Sequence, residues 1–167
     1  MYGFLMLFIS VLFVGAPDDV AQKDQVLMQG TWRIMKFEIG GDGPKPPDEE
    51  IKKGRLIIKE NKITPRMGEG KDMPSETFTL DAGKNPKAID MTTTTVSETR
   101  DANGVVERKE DKRMTQGIYR IEGDTLTLCF TDAERPNATS KDRPTEFTVQ
   151  GHNNRFMLVL ERVKEGK

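Results

Sequence analysis

From residue 30 onward, apolar and polar positions alternate with a period of two along most of the chain, the spacing of half-buried strands rather than of helices. The clearest instance sets Tyr119 and Ile121 against Leu126, Leu128 and Phe130 across a Glu122-Gly123-Asp124 turn, with Thr125, Thr127 and Cys129 at the alternate positions. That pattern predicts an antiparallel hairpin with one face in the core and a threonine-bearing face outside. Residues 155–160 repeat it through Phe156, Leu158 and Leu160 after a turn at 151–154. Residues 31–39 change phase: Trp32 and Ile34 share one parity while Met35, Phe37 and Ile39 share the other, and a β-bulge near Ile34 and Met35 reconciles the two. Residues 55–59 and 62–66 flank a Glu60-Asn61 turn, with Pro65 marking an edge or a strand end. Together with 76–80, 88–95 and 145–149, these segments make nine predicted strands.

The connections predict little helix. Residues 17–26 read as a polar linker, followed by at most a short helical turn before Gly30. Residues 40–47 form a Gly/Pro loop, and 48–53 allow one helical turn. Two long polar stretches, 96–113 and 132–143, read as loops, the first as a solvated excursion or as a lid or docking surface. Many short sequential strands with turn signals between them predict an all-β fold, an antiparallel meander barrel of about eight to nine strands with a short N-terminal helix; a sandwich is the alternative.

Composition changes this picture at the N-terminus. The chain has 167 residues and is 35% hydrophobic, but Met1 to Ala16 form an unbroken apolar run that raises the average. The body retains seven aromatics and is rich in Thr, Gly and Pro. The run is shorter than the roughly 20 residues of a membrane-crossing helix and ends in small residues before Pro17, as a secretory signal does. With no Lys or Arg ahead of it and Pro17 after it, an uncleaved N-terminal anchor is the alternative. The expected organisation is a signal or anchor at 1–16, a linker at 17–26 and one barrel domain at 27–163, exported to the periplasm, cell envelope or medium. No membrane span is expected unless the head is retained.

Charge and candidate chemistry mostly exclude. Formal net charge is -1, with no single-signed block to steer the chain toward nucleic acid. A single cysteine, Cys129, excludes an intramolecular disulfide and lies on a strand with no basic helix terminus to activate it. The single histidine, His152, sits in an Asn-rich turn, where exposure is expected; no His-rich metal site can be assembled, and a triad built on His152 is disfavoured. Gly68-Glu69-Gly70 lacks the strand-to-helix setting of a phosphate loop, and Asp101-x-Asn103-Gly104 lacks the later ligands of a calcium loop. Asn137-Ala138-Thr139 matches a glycosylation sequon. No catalytic residue, metal ligand or cofactor site is predicted, and an enzyme is the less favoured reading.

Two expectations remain. In a meander barrel the first and last strands are neighbours, so Trp32 can close the floor with the Arg162 guanidinium on its ring, a structural cation–π pair. By strand parity Trp32, Tyr119, Phe130, Phe147 and Phe156 are expected to line the interior as ligand-binding residues. The Gly30-Thr31-Trp32 opening, the meander and the terminal Arg162 resemble the lipocalin pattern of small-ligand-binding barrels. Met28-Gln29-Gly30-Thr31-Trp32, Arg55-Leu56-Ile57-Ile58, Pro86 to Met91, Gly117-Ile118-Tyr119, Gly123 to Phe130 and Arg143 to Phe147 are more closely similar to a family of paralogous lipocalin-like domains of unknown function, found mainly in planctomycetes. That resemblance implies a fold and an export context but no substrate. The chain differs from lipocalins in lacking disulfides and in having few aromatics for a calyx. The expected function is non-enzymatic binding of a small molecule or peptide. The alternative is a cell-envelope protein-interaction module acting through a strand edge or the 96–113 loop.

Overall fold

The structure, a computed structural model, describes residues 17–41, 45–68, 70–100, 106–132 and 142–164. The apolar head, the Asp101 to Gly104 stretch and the Asn137 sequon lie outside the described residues.

Helix α1 (Pro17–Met28) turns at Gly30 into β1 (Gly30–Ile39). There follow α2 (Asp48–Lys53), β2 (Arg55–Lys59), β3 (Lys62–Met67), the two-residue β4 (Lys71–Asp72), β5 (Glu76–Asp81), β6 (Ala88–Arg100), β7 (Val106–Glu122), β8 (Thr125–Thr131) and β9 (Arg155–Arg162). Every pairing is antiparallel. The strand order β2-β1-β9-β8-β7-β6-β5-β3 is closed on itself by β2 pairing with β3, giving an eight-stranded meander barrel, with β4 an appendage on β3. Closure removes the unpaired edges that an open sheet of this size would leave.

The phase change in β1 is a bulge. Ile34 lies opposite Leu160 and Lys36 opposite Val159, so Met35 has no partner and stands half exposed. That one extra residue lets Trp32, Ile34 and Phe37 all pack in the same core. The interior is otherwise built by alternation: Leu56 and Ile58 on β2, Phe78 on β5, Ile89 and Met91 on β6, Tyr119 on β7, Leu126, Leu128 and Phe130 on β8, and Leu160 on β9.

Four expectations need correction. The stretch expected as a linker with at most a short turn is a three-turn helix: Asp24 and Met28, four residues apart on one face, are 5% and 0% exposed, and α1 packs on β5 and β7. Residues 96–100 and 106–113, expected as part of a loop, are the two strands of a β-ribbon. β6 and β7 pair in register from Ala88 and Ile118 to Arg100 and Val106, well beyond the point where β5 leaves β6 at Thr92 and β8 leaves β7 at Gln116. Residues 145–149 are not a ninth barrel strand: 145–147 are bends and 148–149 have no regular structure. This segment lies over the outer face of the wall, where Phe147 and Val149 pack on Ile118, Cys129 and Met157. These three apolar residues occupy outward parity, and the flap is what keeps them from water. Arg143 pins the flap by donating to the carbonyls of Gly117 at 2.7 Å and Ile89 at 3.2 Å and by pairing with Asp90 at 2.8 Å. Phe147 therefore lies outside the barrel and is not an interior residue. The last correction concerns His152, which is half-buried rather than exposed: its carbonyl crosses so close to Gly40 that a side chain there would collide, 1.6 Å from Cβ to oxygen.

Candidate functional site

The two ends of the barrel differ. One is closed by α1. Trp32, fully buried, donates its indole N–H to the Met28 carbonyl at 2.8 Å. The Arg162 guanidinium carbon lies 4.2 Å from the Trp32 ring centroid, and the same side chain donates to the carbonyls of Gln29, at 2.6 Å, and of Leu27. Three carbonyls at the helix C-terminus, which no further helical N–H satisfies, are met this way, and a cation sits where the helix dipole is negative. Gly30 at φ +118° permits the sharp exit, and its missing side chain leaves room for Arg162.

A second tie fixes the helix. Asp24 Oδ2 accepts both from the Tyr119 hydroxyl and from Lys87 Nζ, each at 2.7 Å, while Lys87 lies over the Tyr119 ring. Burial, then the hydrogen bond to Asp24 and its charge, push the Tyr119 phenol well above its ordinary value. It is a fixed donor rather than an acid–base group near neutral pH.

The other end is open. Above Leu128 and Leu158 the interior widens into a half-enclosed cavity of about 420 Å³. One side of its mouth is apolar: Leu56 and Pro65, Ile63, Phe156 and Leu158 from β2, β3 and β9. Phe130 and Phe156 stack with centroids 5.2 Å apart and form part of the wall. Gly117 makes this ring position available, since a Cβ there would lie 2.3 Å from the Phe130 ring. The opposite side is polar and runs across three strands to the end of a fourth: Glu76 on β5, Thr93 and Thr95 on β6, Arg113 and Thr115 on β7, and Asp132 just past β8. Within this arc Thr93 Oγ1 donates to Glu76 Oε1 at 2.6 Å, and Arg113 pairs with Asp132.

Of the five residues expected to line a binding interior, only Phe130 and Phe156 reach the cup. Trp32 and Tyr119 are fully buried at or toward the closed end, and Phe147 is outside. The polar arc was missed, although a signal existed: Glu76 shares parity with Phe78 and Leu80, as Thr93 does with Ile89 and Met91 and Asp132 with Leu126, Leu128 and Phe130.

For chemistry the site is sparing. Among the described residues no group of three His, Cys, Asp or Glu side chains is placed to hold a metal ion. Cys129 is fully buried beneath Thr148, and burial pushes its thiol up, away from the reactive thiolate. Among the described residues no helix is long and apolar enough to cross a membrane.

Fold and site together define a class: a closed eight-stranded antiparallel barrel, plugged by a helix at one end and cupped at the other. No protein-family model, curated protein or solved structure matches the chain.

Proposed function

We propose that this protein is an exported, non-enzymatic, lipocalin-like barrel that holds a small molecule, or the end of a peptide, in its open half. The observation that carries the reading is the cup: about 420 Å³, apolar on one side, with hydroxyl and charged groups converging from the other. Ligand sites have this size and this mixture of greasy wall and few placed polar groups. Eight-stranded barrels are just wide enough either to fill with side chains or to hold one small ligand, and here the two outcomes divide the interior. Seven aromatics in the body favour a compact ligand over a large hydrophobic one. Export rests on the apolar head, and the lipocalin-like assignment on the Gly30-Thr31-Trp32 opening with Arg162.

Melting curves recorded with a diverse small-molecule set test the binding reading. A true ligand at a hundredfold excess over its Kd raises the melting temperature by roughly 5–10 °C. No shift with any compound, together with no perturbation of cup residues, overturns it. Cell fractionation with N-terminal sequencing tests export.

The β6–β7 ribbon favours a second reading, an interaction module of the cell envelope. Beyond Thr92 and Gln116 neither ribbon edge has a partner strand among the described residues, and Val96, Val106 and Met114 stand about half exposed on it. Open strand edges invite a further strand. The charged β7 side, Glu107 to Arg113, resists this, and the threonine-rich β6 side does not. Replacing residues 96–107 by a two-residue turn separates the readings: loss of an envelope partner with ligand response intact supports the module.

A further inference from the structure

The charge balance of the cup names a ligand class, an inference that rests on the binding reading above. Of the two carboxylates on the cavity wall, Asp132 is paired with Arg113, whereas Glu76 meets no cation among the described residues. Its place is fixed. It sits directly opposite Ile63 of β3 and shares the inward parity of Phe78 and Leu80, so strand geometry directs the half-buried side chain into the barrel. The Thr93 hydroxyl donates to Oε1 at 2.6 Å, which restrains the carboxyl of a residue that lines the cavity and leaves Oε2 out of that bond. Higher on the ribbon face that overlooks the mouth, Lys109 and Asp111 pair at 3.2 Å and cancel. The cup thus carries one uncompensated negative charge beside an apolar wall. A carboxylate in such a half-enclosed site loses solvation, which an opposite charge restores.

We infer that the cup selects a small amphipathic amine, its ammonium on Glu76 and its apolar body against Leu128, Phe130, Phe156 and Leu158. Anionic amphiphiles of the same size are disfavoured, because the single arginine at the mouth is already committed to Asp132.

Three probes with one body and three heads test this: 4-phenylbutylamine, 4-phenylbutanol and 4-phenylbutyrate, titrated by ligand-observed NMR against the full chain and against Glu76→Gln. The amine is expected to bind at least about tenfold more tightly than the alcohol, since a charge-assisted hydrogen bond contributes that much, with the carboxylate weakest. Glu76→Gln should lower amine affinity by about tenfold and leave the alcohol unchanged. Thr93→Val, which frees the carboxyl without removing it, should give a smaller loss. Equal binding of all three heads, or amine binding indifferent to Glu76→Gln, overturns the selectivity while the cup stands. No binding by any probe to a chain whose melting curve is intact overturns the binding reading itself. A Glu76→Gln chain that fails to fold leaves the head-group comparison on the unaltered chain as the deciding result.

Discussion

At the closed end, β1 and β9 deliver Trp32 and Arg162 into contact with the carbonyls that end α1, and nearly every polar atom there has a partner inside the protein. At the open end, β8 and β9 deliver Phe130 and Phe156 to a wall that faces empty space, and the polar atoms of β5 to β7 point across that space. The same alternation builds both ends. What separates them is whether something outside the barrel arrives to fill it: α1 plugs one end with Met28 and Asp24, and no described element does so at the other. A barrel needs one solid end for stability, and only then can the other remain unfilled, because unfilled volume forfeits packing energy.

The largest break in this asymmetry should come from Trp32→Ala. It empties the floor and removes the ring on which the Arg162 guanidinium lies, at an expected cost of about 3–5 kcal/mol in urea denaturation. Leu158→Ala, half-buried in the cup wall, should cost less, about 1–2 kcal/mol. A larger loss for Leu158→Ala than for Trp32→Ala would reverse the assignment of the two ends.

Next in size is Asp24→Ala, which leaves the buried Tyr119 hydroxyl without its acceptor and should cost about 1–3 kcal/mol. In the Tyr119→Phe background the same substitution should cost visibly less, because the two groups act as one unit. Additive effects would show that the Asp24–Tyr119 contact does not hold the helix.

Tyr119 also predicts a pH dependence. Its pKa is raised by folding, so the protonated phenol contributes fully below the unfolded value of about 10, and that contribution is lost as pH rises beyond it. Denaturation midpoints should fall above about pH 10 in the native chain, and the fall should be shallower in Tyr119→Phe. Identical alkaline slopes would remove Tyr119 as the cause.

The smallest effects belong to the open end and the ribbon. Thr115→Val on the polar arc and Thr95→Val at its edge should change stability by no more than about 0.5 kcal/mol, since neither group holds the barrel together. Their effect belongs in binding.

The barrel was largely legible because period-two alternation is strict wherever one face is buried, as in Leu126, Leu128 and Phe130, and because the phase slip at Met35 has one simple geometric cause. The ribbon was not legible: Glu107 to Arg113 has no core to face, so its strand carries charge at every position and reads as a loop. The threonine run 92–95 was read as the end of a strand, whereas β6 continues through it to Arg100. Phe147 misled for the converse reason. It and Val149 alternate like a strand, yet they dock as a flap on Ile118, Cys129 and Met157, and two apolar residues of the same parity fit either arrangement. The polar arc escaped because a glutamate or an arginine at inward parity looks like an error in the pattern until strand register places it at a mouth.

The central claim is that one half of the interior is solid and the other accepts a ligand. Methyl NMR of the Ile, Leu and Met side chains during titration with 4-phenylbutylamine tests it most directly. The account predicts that Leu56, Ile63, Met91, Leu128 and Leu158 shift together with one affinity, while Leu126, Leu160 and Met28 stay still. Shifts confined to the α1 end, or no shift in any interior methyl at saturating amine, would contradict it.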